Sequence, residues 1–351
     1  MRLLPNVRVV FVVASSVLRV HGHVAAWHKG MYCLNGTTGE DRPDTNDAVN
    51  PLFQLSRADW WFHHVNNCDL YPPAPGDFLE LPANGAFTVE HAVNRAFTTL
   101  SFDGKFTSIF LDGEDHPGLG VTPPGQTPTC ITEPNIHTQN ESMAAGTAFA
   151  ISYQSDITKV TPENLVVFTV LYNTPWKRIA TYSVPNLPAC PSGGCICAWG
   201  WVANGCGEPN MYMLPYRCKV TGTTGNAAVA PGIPPVWCED DPSRCTKGPR
   251  QLIYWNQLEG NNIVVSGQDL AGDPRSPAYN TKLGFANGAQ TDIFESSGTA
   301  TQTSIRPGPS TGTSDSGLPL IPTSGSPRLV LLDQSLVFSW CIVFAATVFL
   351  L

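Results

Sequence analysis

Short apolar runs separated by turn residues constrain the fold of this chain more than any other feature. Glycine and proline each occur 31 times in 351 residues. Long amphipathic helical periodicity is scarce, and Pro51 to Asn66 is the best helical candidate. The pattern predicts an all-β fold, an antiparallel β-sandwich of the immunoglobulin or fibronectin type that is rich in disulfides, with long loops and short helices. The predicted strands cover residues 78–81, 86–93, 97–102, 147–153, 165–172, 179–184, 196–202 and 210–216.

The N-terminus has the pattern of a secretory signal. A basic start precedes an apolar run from Val9 to Leu18, and small residues Val20 and Gly22 favour a cut after Gly22. We therefore predict a signal peptide at residues 1–22. Cleavage there makes His23 the first residue of an exported, mature protein.

The C-terminal segment resembles a GPI-attachment signal. The apolar, uncharged run from Leu336 to Leu351 is short for a membrane span, and it follows a spacer and small residues around Ser324. We predict that residues 327–351 are a GPI-attachment propeptide and that Ser324 carries the anchor, so that the secreted protein contacts the cell membrane only through it. A C-terminal tail anchor is the alternative. Residues 295–326 are rich in Ser, Thr, Gly and Pro and predict an O-glycosylated linker, which leaves residues 23–294 as one globular domain.

The cysteine content supports export. Cys341 lies in the predicted propeptide, and the ten other cysteines allow up to five disulfides in an oxidising compartment. A zinc site within the cluster from Cys190 to Cys218 is the alternative, although the spacing fits no zinc-ribbon pattern. Sequons at Asn35 and Asn140 predict N-glycosylation. The ten cysteines are Cys33, Cys68, Cys130, Cys190, Cys195, Cys197, Cys206, Cys218, Cys238 and Cys245.

The charge of the chain argues against nucleic acid as a partner. The formal net charge is −8, only 14% of residues are charged, and no basic patch is visible. A low charge with many aromatic residues is compatible with a surface that contacts carbohydrate.

A mature N-terminus at His23 predicts a metal site. An N-terminal histidine offers its α-amine and its imidazole to one metal ion, and a second histidine would complete a T-shaped set of three nitrogens that suits copper. His116 is the preferred third nitrogen because it lies in a turn-rich loop after a strand, where an imidazole can project from the sandwich rim. The other histidines of the domain are His28, His63, His64, His91 and His137.

Three segments resemble fungal lytic polysaccharide monooxygenases. The first runs from Asn173 through the cysteine cluster to the motif Cys195-Ile196-Cys197-Ala198-Trp199, and the second is Met211-Tyr212-Met213. The third, the N-terminal run from His23 to Tyr32, is similar to auxiliary-activity family 14 when taken with Asp59-Trp60-Trp61. The resemblance covers about residues 23–290.

The resemblance implies a copper enzyme. Its metal ligands map onto His23, His116 and an axial Tyr212, which would also be the catalytic tyrosine. The implied reaction is the oxidative cleavage of glycosidic bonds with dioxygen or hydrogen peroxide. The implied partners are a polysaccharide, xylan associated with cellulose, and a small-molecule or protein electron donor. The interval between His116 and Tyr212 leaves another histidine open as a ligand, and Tyr216 is the alternative axial residue.

Three other functions remain open at this point. A non-catalytic, GPI-anchored protein could use the same histidine brace to bind copper at the cell surface. A structural wall glycoprotein would need no metal. A hydrolase is disfavoured because no nucleophile elbow is present and the acidic stretch from Asp112 to Asp115 is more simply a solvated turn.

Overall fold

The computed structural model describes residues 23–203, 206, 209–269, 272 and 274–295. The predictions for residues 1–22, for Ser324 and for residues 296–351 lie outside the described residues. The nine strands of the described part are β1 (Ala25–Trp27), β2 (Leu79–Pro82), β3 (Ala86–Ala92), β4 (Thr147–Ser152), β5 (Val166–Leu171), β6 (Ile179–Ser183), β7 (Cys195–Val202), β8 (Met211–Thr221) and β9 (Gly288–Ala289).

The strands form two sheets. The smaller sheet has the order β1-β3-β6 and the larger one β2-β8-β7-β4-β5-β9. Every neighbouring pair is antiparallel except β2 with β8, which is parallel. The predicted all-β sandwich is confirmed, with this parallel pair as an addition.

The larger sheet is buried on both faces. On β8 the side chains of Tyr212, Leu214 and Tyr216 join the core between the sheets, as the two-residue period of a strand requires. Met211 and Met213 point to the other face and join a second apolar cluster. That cluster is completed by a C-terminal segment that includes Leu252, Ile253, Tyr254, Trp255, Tyr279, Leu283 and Phe285.

Helices are short, and the helix predicted over residues 51–66 is wrong in extent. Within residues 51–66, only α1 (Arg57–Trp60) is α-helical; Ser56 caps it, accepting a hydrogen bond from the amide of Asp59. A 3₁₀ segment (Trp61–Asn66) follows, in which Phe62 and His63 have positive φ. Because Trp60, Phe62 and His63 are all buried, the buried residues do not lie on one face of a helix, and a longer helix could not bury them together. The other 3₁₀ helices are Asp47–Val49, Cys68–Leu70, Arg95–Phe97, Phe102–Gly104, Glu141–Met143, Ile157–Lys159, Pro242–Arg244 and Thr281–Leu283.

The strand predicted over residues 97–102 is also wrong. The segment contains the end of one 3₁₀ helix and the start of another, and the amide of Thr99 donates to the carboxylate of Glu90 instead of to a neighbouring strand. The strands β1 and β9 were not predicted, because three and two residues are too few to show a period.

All ten described cysteines are paired, which overturns the zinc alternative. Two bridges lie within the cluster from Cys190 to Cys218, while Cys206 reaches a cysteine 76 residues away. The pairs are Cys33–Cys68, Cys130–Cys206, Cys190–Cys195, Cys197–Cys218 and Cys238–Cys245. No helix among the described residues has the length and apolarity needed to cross a bilayer.

Two buried histidines predict a loss of stability in acid. Burial lowers the pKa of His63 to about 4 and that of His91 to about 3, from 6.5. Below 6.5 the unfolded chain therefore binds protons that the folded chain does not, so folding weakens as the pH falls from 6.5 towards these values. Each histidine should contribute up to about 1.4 kcal/mol per pH unit.

Urea unfolding at several pH values measures this slope. The variant His91→Asn should reduce the slope of the unfolding free energy against pH by the contribution of one histidine, because asparagine does not titrate. An unchanged slope in that variant would contradict the assignment.

Candidate metal centre

The strand ends converge on one rim of the sandwich, which we call the β1 rim. In the larger sheet, Thr147 at the start of β4 pairs with Leu171 at the end of β5 and with Trp201 near the end of β7. Trp201 in turn pairs with Tyr212, the second residue of β8. The end of β5, the end of β7 and the start of β8 therefore share one edge of this sheet.

The smaller sheet reaches the same rim through the turn from β5 to β6. Ile179 begins β6 and pairs with Glu90 near the end of β3. Because β1 runs antiparallel to β3, its first residue, Ala25, pairs with Ala92. The start of β1 is thus at the β1 rim, and His23 is two residues ahead of it. His23 is half-buried and the next residue, Val24, is fully buried.

Tyr212 lies at the same rim in an aromatic setting. Its ring stacks on Trp201, with the centroids 4.6 Å apart and the planes inclined by 23°. Trp199 flanks it at 6.5 Å. The tyrosine is buried, so packing holds its ring in one orientation.

Tyr216 has a different environment. It is fully buried, and its hydroxyl donates to the carbonyl of Ala26 in the middle of β1. Burial raises the pKa of Tyr216 well above its usual value. The hydroxyl thus ties β1 to β8 across the core, which is a positioning role for the strand that follows His23.

Replacing Tyr216 by phenylalanine should therefore cost stability. The variant leaves the Ala26 carbonyl without this partner in the core, and we expect the free energy of unfolding to fall by about 1–3 kcal/mol. Urea denaturation measures the loss. Copper spectra of Tyr216→Phe and Tyr212→Phe distinguish the two tyrosines; a larger spectral change in Tyr216→Phe would make Tyr216 the axial residue.

His116 lies at the β1 rim in the loop that follows Leu111. That loop is tied to β3 because the Leu111 carbonyl accepts from the amide of Val93. The His116 imidazole is partly exposed; its Nε2 lies 2.8 Å from an oxygen of Asp112, and its ring meets the edge of Phe110 at 5.2 Å. A carboxylate on one ring nitrogen orients the ring and leaves the other nitrogen for a metal.

His137 is a second imidazole at the β1 rim. It is fully buried, and its Nδ1 lies 3.2 Å from the carbonyl oxygen of Cys206, in the turn between β7 and β8. This contact puts the proton on Nδ1, so that Nε2 carries the lone pair, the form of imidazole that binds metals. The disulfide Cys130–Cys206 and the bridge between Ile131 and Thr138 fix the segment beside this turn. The sequence held no local signal for this position, because the contact joins residues 69 apart.

The remaining histidines are held by other contacts. The Nδ1 of His28 accepts from the amide of Gly30, and burial lowers its pKa to about 4. His63 is buried in the 3₁₀ segment, and His64 contacts Asp69 at 2.9 Å. Nε2 of His91 lies 3.2 Å from the hydroxyl of Tyr182 in the core.

The donor set at the β1 rim fits copper. Among the described residues, no three His, Cys, Asp or Glu side chains form a metal-holding group. A brace does not need three, because the amine of a mature His23 supplies one nitrogen and two imidazoles supply the others. An imidazole and amine set without carboxylates suits copper better than magnesium or calcium.

The side-chain oxygen of the asparagine in each sequon accepts hydrogen bonds. Asn35 is exposed, and its Oδ1 accepts from the guanidinium of Arg95 at 3.0 Å. The Oδ1 of Asn140 accepts from the hydroxyl of Ser142 at 2.8 Å and from the amide of Met143 at 3.1 Å. Glycosylation at either site stays a prediction.

Comparison with known proteins places the chain beside one group of enzymes. The profile described as "Lytic polysaccharide monooxygenase AA14" matches residues 6–331. A protein of Pycnoporus cinnabarinus named AA14 family lytic polysaccharide monooxygenase B is 37% identical over 285 residues, 78% of this chain and 70% of that protein. A protein of that name from Trametes coccinea is 36% identical, over 80% of this chain and 65% of its own length. A third protein of that name, from Talaromyces rugulosus, is 35% identical over 78% of this chain and 93% of its own length.

Proposed function

Because the chain belongs to auxiliary-activity family 14 of the lytic polysaccharide monooxygenases, we propose that it uses one copper ion to cleave glycosidic bonds of xylan associated with cellulose. The family is one of oxidoreductases that cleave polysaccharides oxidatively. Dioxygen or hydrogen peroxide is the proposed oxidant, and a small molecule or a protein is the electron donor. The observation that carries the proposal is the placement of His23 and Tyr212 at one rim of the sandwich.

The residues of the rim have separate roles in this proposal. His23 holds copper through its amine and its imidazole, and a second imidazole supplies the third nitrogen. The sequence favours His116 for that position. The contacts with Cys206 favour His137, because they attach it to the turn that leads into Tyr212.

Bound copper would supply a Cu(II)/Cu(I) couple for activating the oxidant. Tyr212 would be one of the residues that hold the copper, and its stacking on Trp201 keeps the phenol in one orientation. Tyr216 would act indirectly, because its hydrogen bond to Ala26 fixes β1, the strand that follows His23.

Product analysis tests the proposal. The mature protein, loaded with copper and given a reductant and xylan-coated cellulose, should release oxidised oligosaccharides that mass spectrometry detects. Samples without reductant or stripped of copper are the controls. Tight copper binding without oxidised products would favour the non-catalytic, GPI-anchored copper-binding protein. Neither copper binding nor products would favour a structural wall glycoprotein.

Secretion and anchoring are part of the proposal. The signal peptide at residues 1–22 rests on the basic start, the apolar run and the small residues Val20 and Gly22, and the GPI attachment at Ser324 rests on the order of small residues, spacer and apolar tail. Phospholipase C treatment of intact cells should release the protein into the medium, because the anchor would be its only attachment to the membrane. Peptides containing Trp340 in the purified protein would contradict the removal of the tail.

A further inference from the structure

An aromatic pair stands on the loop before His116, which we call the aromatic loop (residues 99–109). Phe102 and Phe106 are 45% and 44% exposed, and their rings meet edge to face with the centroids 5.3 Å apart. Lys105 lies between them in sequence, and its Nζ is 5.4 Å from the centroid of Phe106. Single exposed apolar residues are common on protein surfaces, but two exposed phenylalanine rings in contact on one loop are typical of an interaction site.

The backbone of the loop holds Phe102 in an unusual conformation. Phe102 has φ +50° and Asp103 φ +52°, a region that bulky residues rarely occupy. The turn is held by the amide of Lys105, which donates to the Phe102 carbonyl, and by the hydroxyl of Thr107, which donates to the Gly104 carbonyl. Such conformations persist where the surroundings impose them, and they cluster at binding sites.

One largely buried ion pair anchors both ends of the loop. The side chains of Glu90 and Arg178 are 11% and 14% exposed, and the two are paired. Glu90 accepts from the amide of Thr99 at the first end of the loop. Arg178 donates through Nε to the carbonyl of Ser108, and its amide donates to the carbonyl of Ile109, at the other end.

The anchor also fixes the loop at the β1 rim. Glu90 pairs with Ile179 and with Trp27, so it lies in the smaller sheet two residues before the partner of Ala25. Gly113 packs directly against the aromatic loop, because a Cβ at this position would lie only 2.5 Å from the Phe106 carbonyl oxygen. The aromatic pair is therefore presented by a rigid loop beside the strand that follows His23.

We propose that Phe102 and Phe106 form a polysaccharide contact that positions the substrate at the β1 rim, an inference that rests on the proposed function. Phenylalanine rings pack against the apolar C–H faces of sugar rings, and the flanking Lys105 can donate to sugar hydroxyls. Two half-exposed rings offer far less than the roughly 800 Å² per partner of a stable protein interface. A polysaccharide can bind through a contact of small area, because many such contacts along the polymer add together.

Binding of the copper-free mature protein to insoluble xylan-coated cellulose tests the inference. The double variant Phe102→Ala/Phe106→Ala should lower the partition constant about tenfold, because the apolar contact area is lost. Phe78→Ala is the matched control. Phe78 also has a cation over its ring, Arg217 at 5.8 Å, but it precedes β2 at the opposite end of the sandwich. Thermal unfolding verifies that each variant is folded.

The readouts separate this inference from the proposed function. Copper affinity and reductant-driven peroxide release should be unchanged in the double variant, since neither needs the polysaccharide. Equal binding by the double variant and the wild type, or an equal loss in Phe78→Ala, would overturn the polysaccharide contact while leaving the proposed function in place. A change in oligomeric state without a change in binding would assign the pair to a second copy of the chain and also overturn it. Absence of copper binding in the wild type would refute the proposed function itself.

Discussion

Retaining Gly22 ahead of His23 should abolish tight copper binding almost as fully as His23→Ala does. In the proposed brace, two of the three nitrogens would come from this one residue. An added residue converts the α-amine of His23 into an amide, whose nitrogen lone pair is delocalised into the carbonyl, while the imidazole is unchanged. Loss of an outer partner of a metal ligand already costs about 10–100-fold in affinity, so we expect loss of a ligand to cost at least about 100-fold.

Titration with Cu(II) of proteins that differ only at the N-terminus measures this effect. Thermal unfolding of the metal-free proteins should be equal, because His23 precedes β1 and is only half-buried. The control is Tyr212→Phe, which should keep the metal and alter its spectrum and the reaction rate. Equal copper affinity in the Gly22-extended and processed proteins would refute the brace.

The second large effect concerns the imidazole that completes the site. We expect His137→Ala to weaken copper binding by at least about 100-fold, as for any lost ligand, and His116→Ala by less than about tenfold. The physical reason is attachment: His137 contacts the carbonyl of Cys206 in the turn before Tyr212, whereas His116 is held by Asp112 on a partly exposed loop.

A folding defect must be separated from loss of a ligand in this comparison. His63→Asn is the control, because His63 is equally buried but lies in the 3₁₀ segment, which holds none of the proposed copper ligands. It should affect stability without affecting the number of nitrogens seen by electron paramagnetic resonance. If His116→Ala removes one nitrogen signal and His137→Ala does not, the prediction from the sequence is the correct one.

Most strands could be predicted because their signal is local. In β4, β5, β7 and β8 the apolar runs bounded by turn residues correspond to strands within a few residues, since a strand between two apolar layers needs apolar side chains along its length. In β6 and the first half of β3, buried and exposed residues alternate, which is the period of a strand with one exposed face. The cysteines behave likewise: their even number and the exported context predict full pairing, but not which pairs form. His23 depends on the cleavage pattern alone and needs no knowledge of the fold.

The errors have a common cause. Residues 51–66 and 97–102 have plausible helical and strand patterns, yet their conformation depends on distant partners. Trp60 packs on Tyr254 at 5.2 Å, and the amide of Thr99 is satisfied by Glu90. Local propensity is a weak term that such tertiary contacts override.

The sequence by itself determined the β-sandwich class and the set of cysteines that pair, and it predicts His23 as the mature N-terminus. Only the tertiary structure decided which loops meet at the β1 rim. The Cys130–Cys206 bridge joins residues 76 apart, and the tie from Tyr216 to Ala26 joins residues 190 apart. Strand patterns repeat every two residues and can be read locally, whereas a metal site assembled from separate loops depends on through-space contacts that have no period in the sequence.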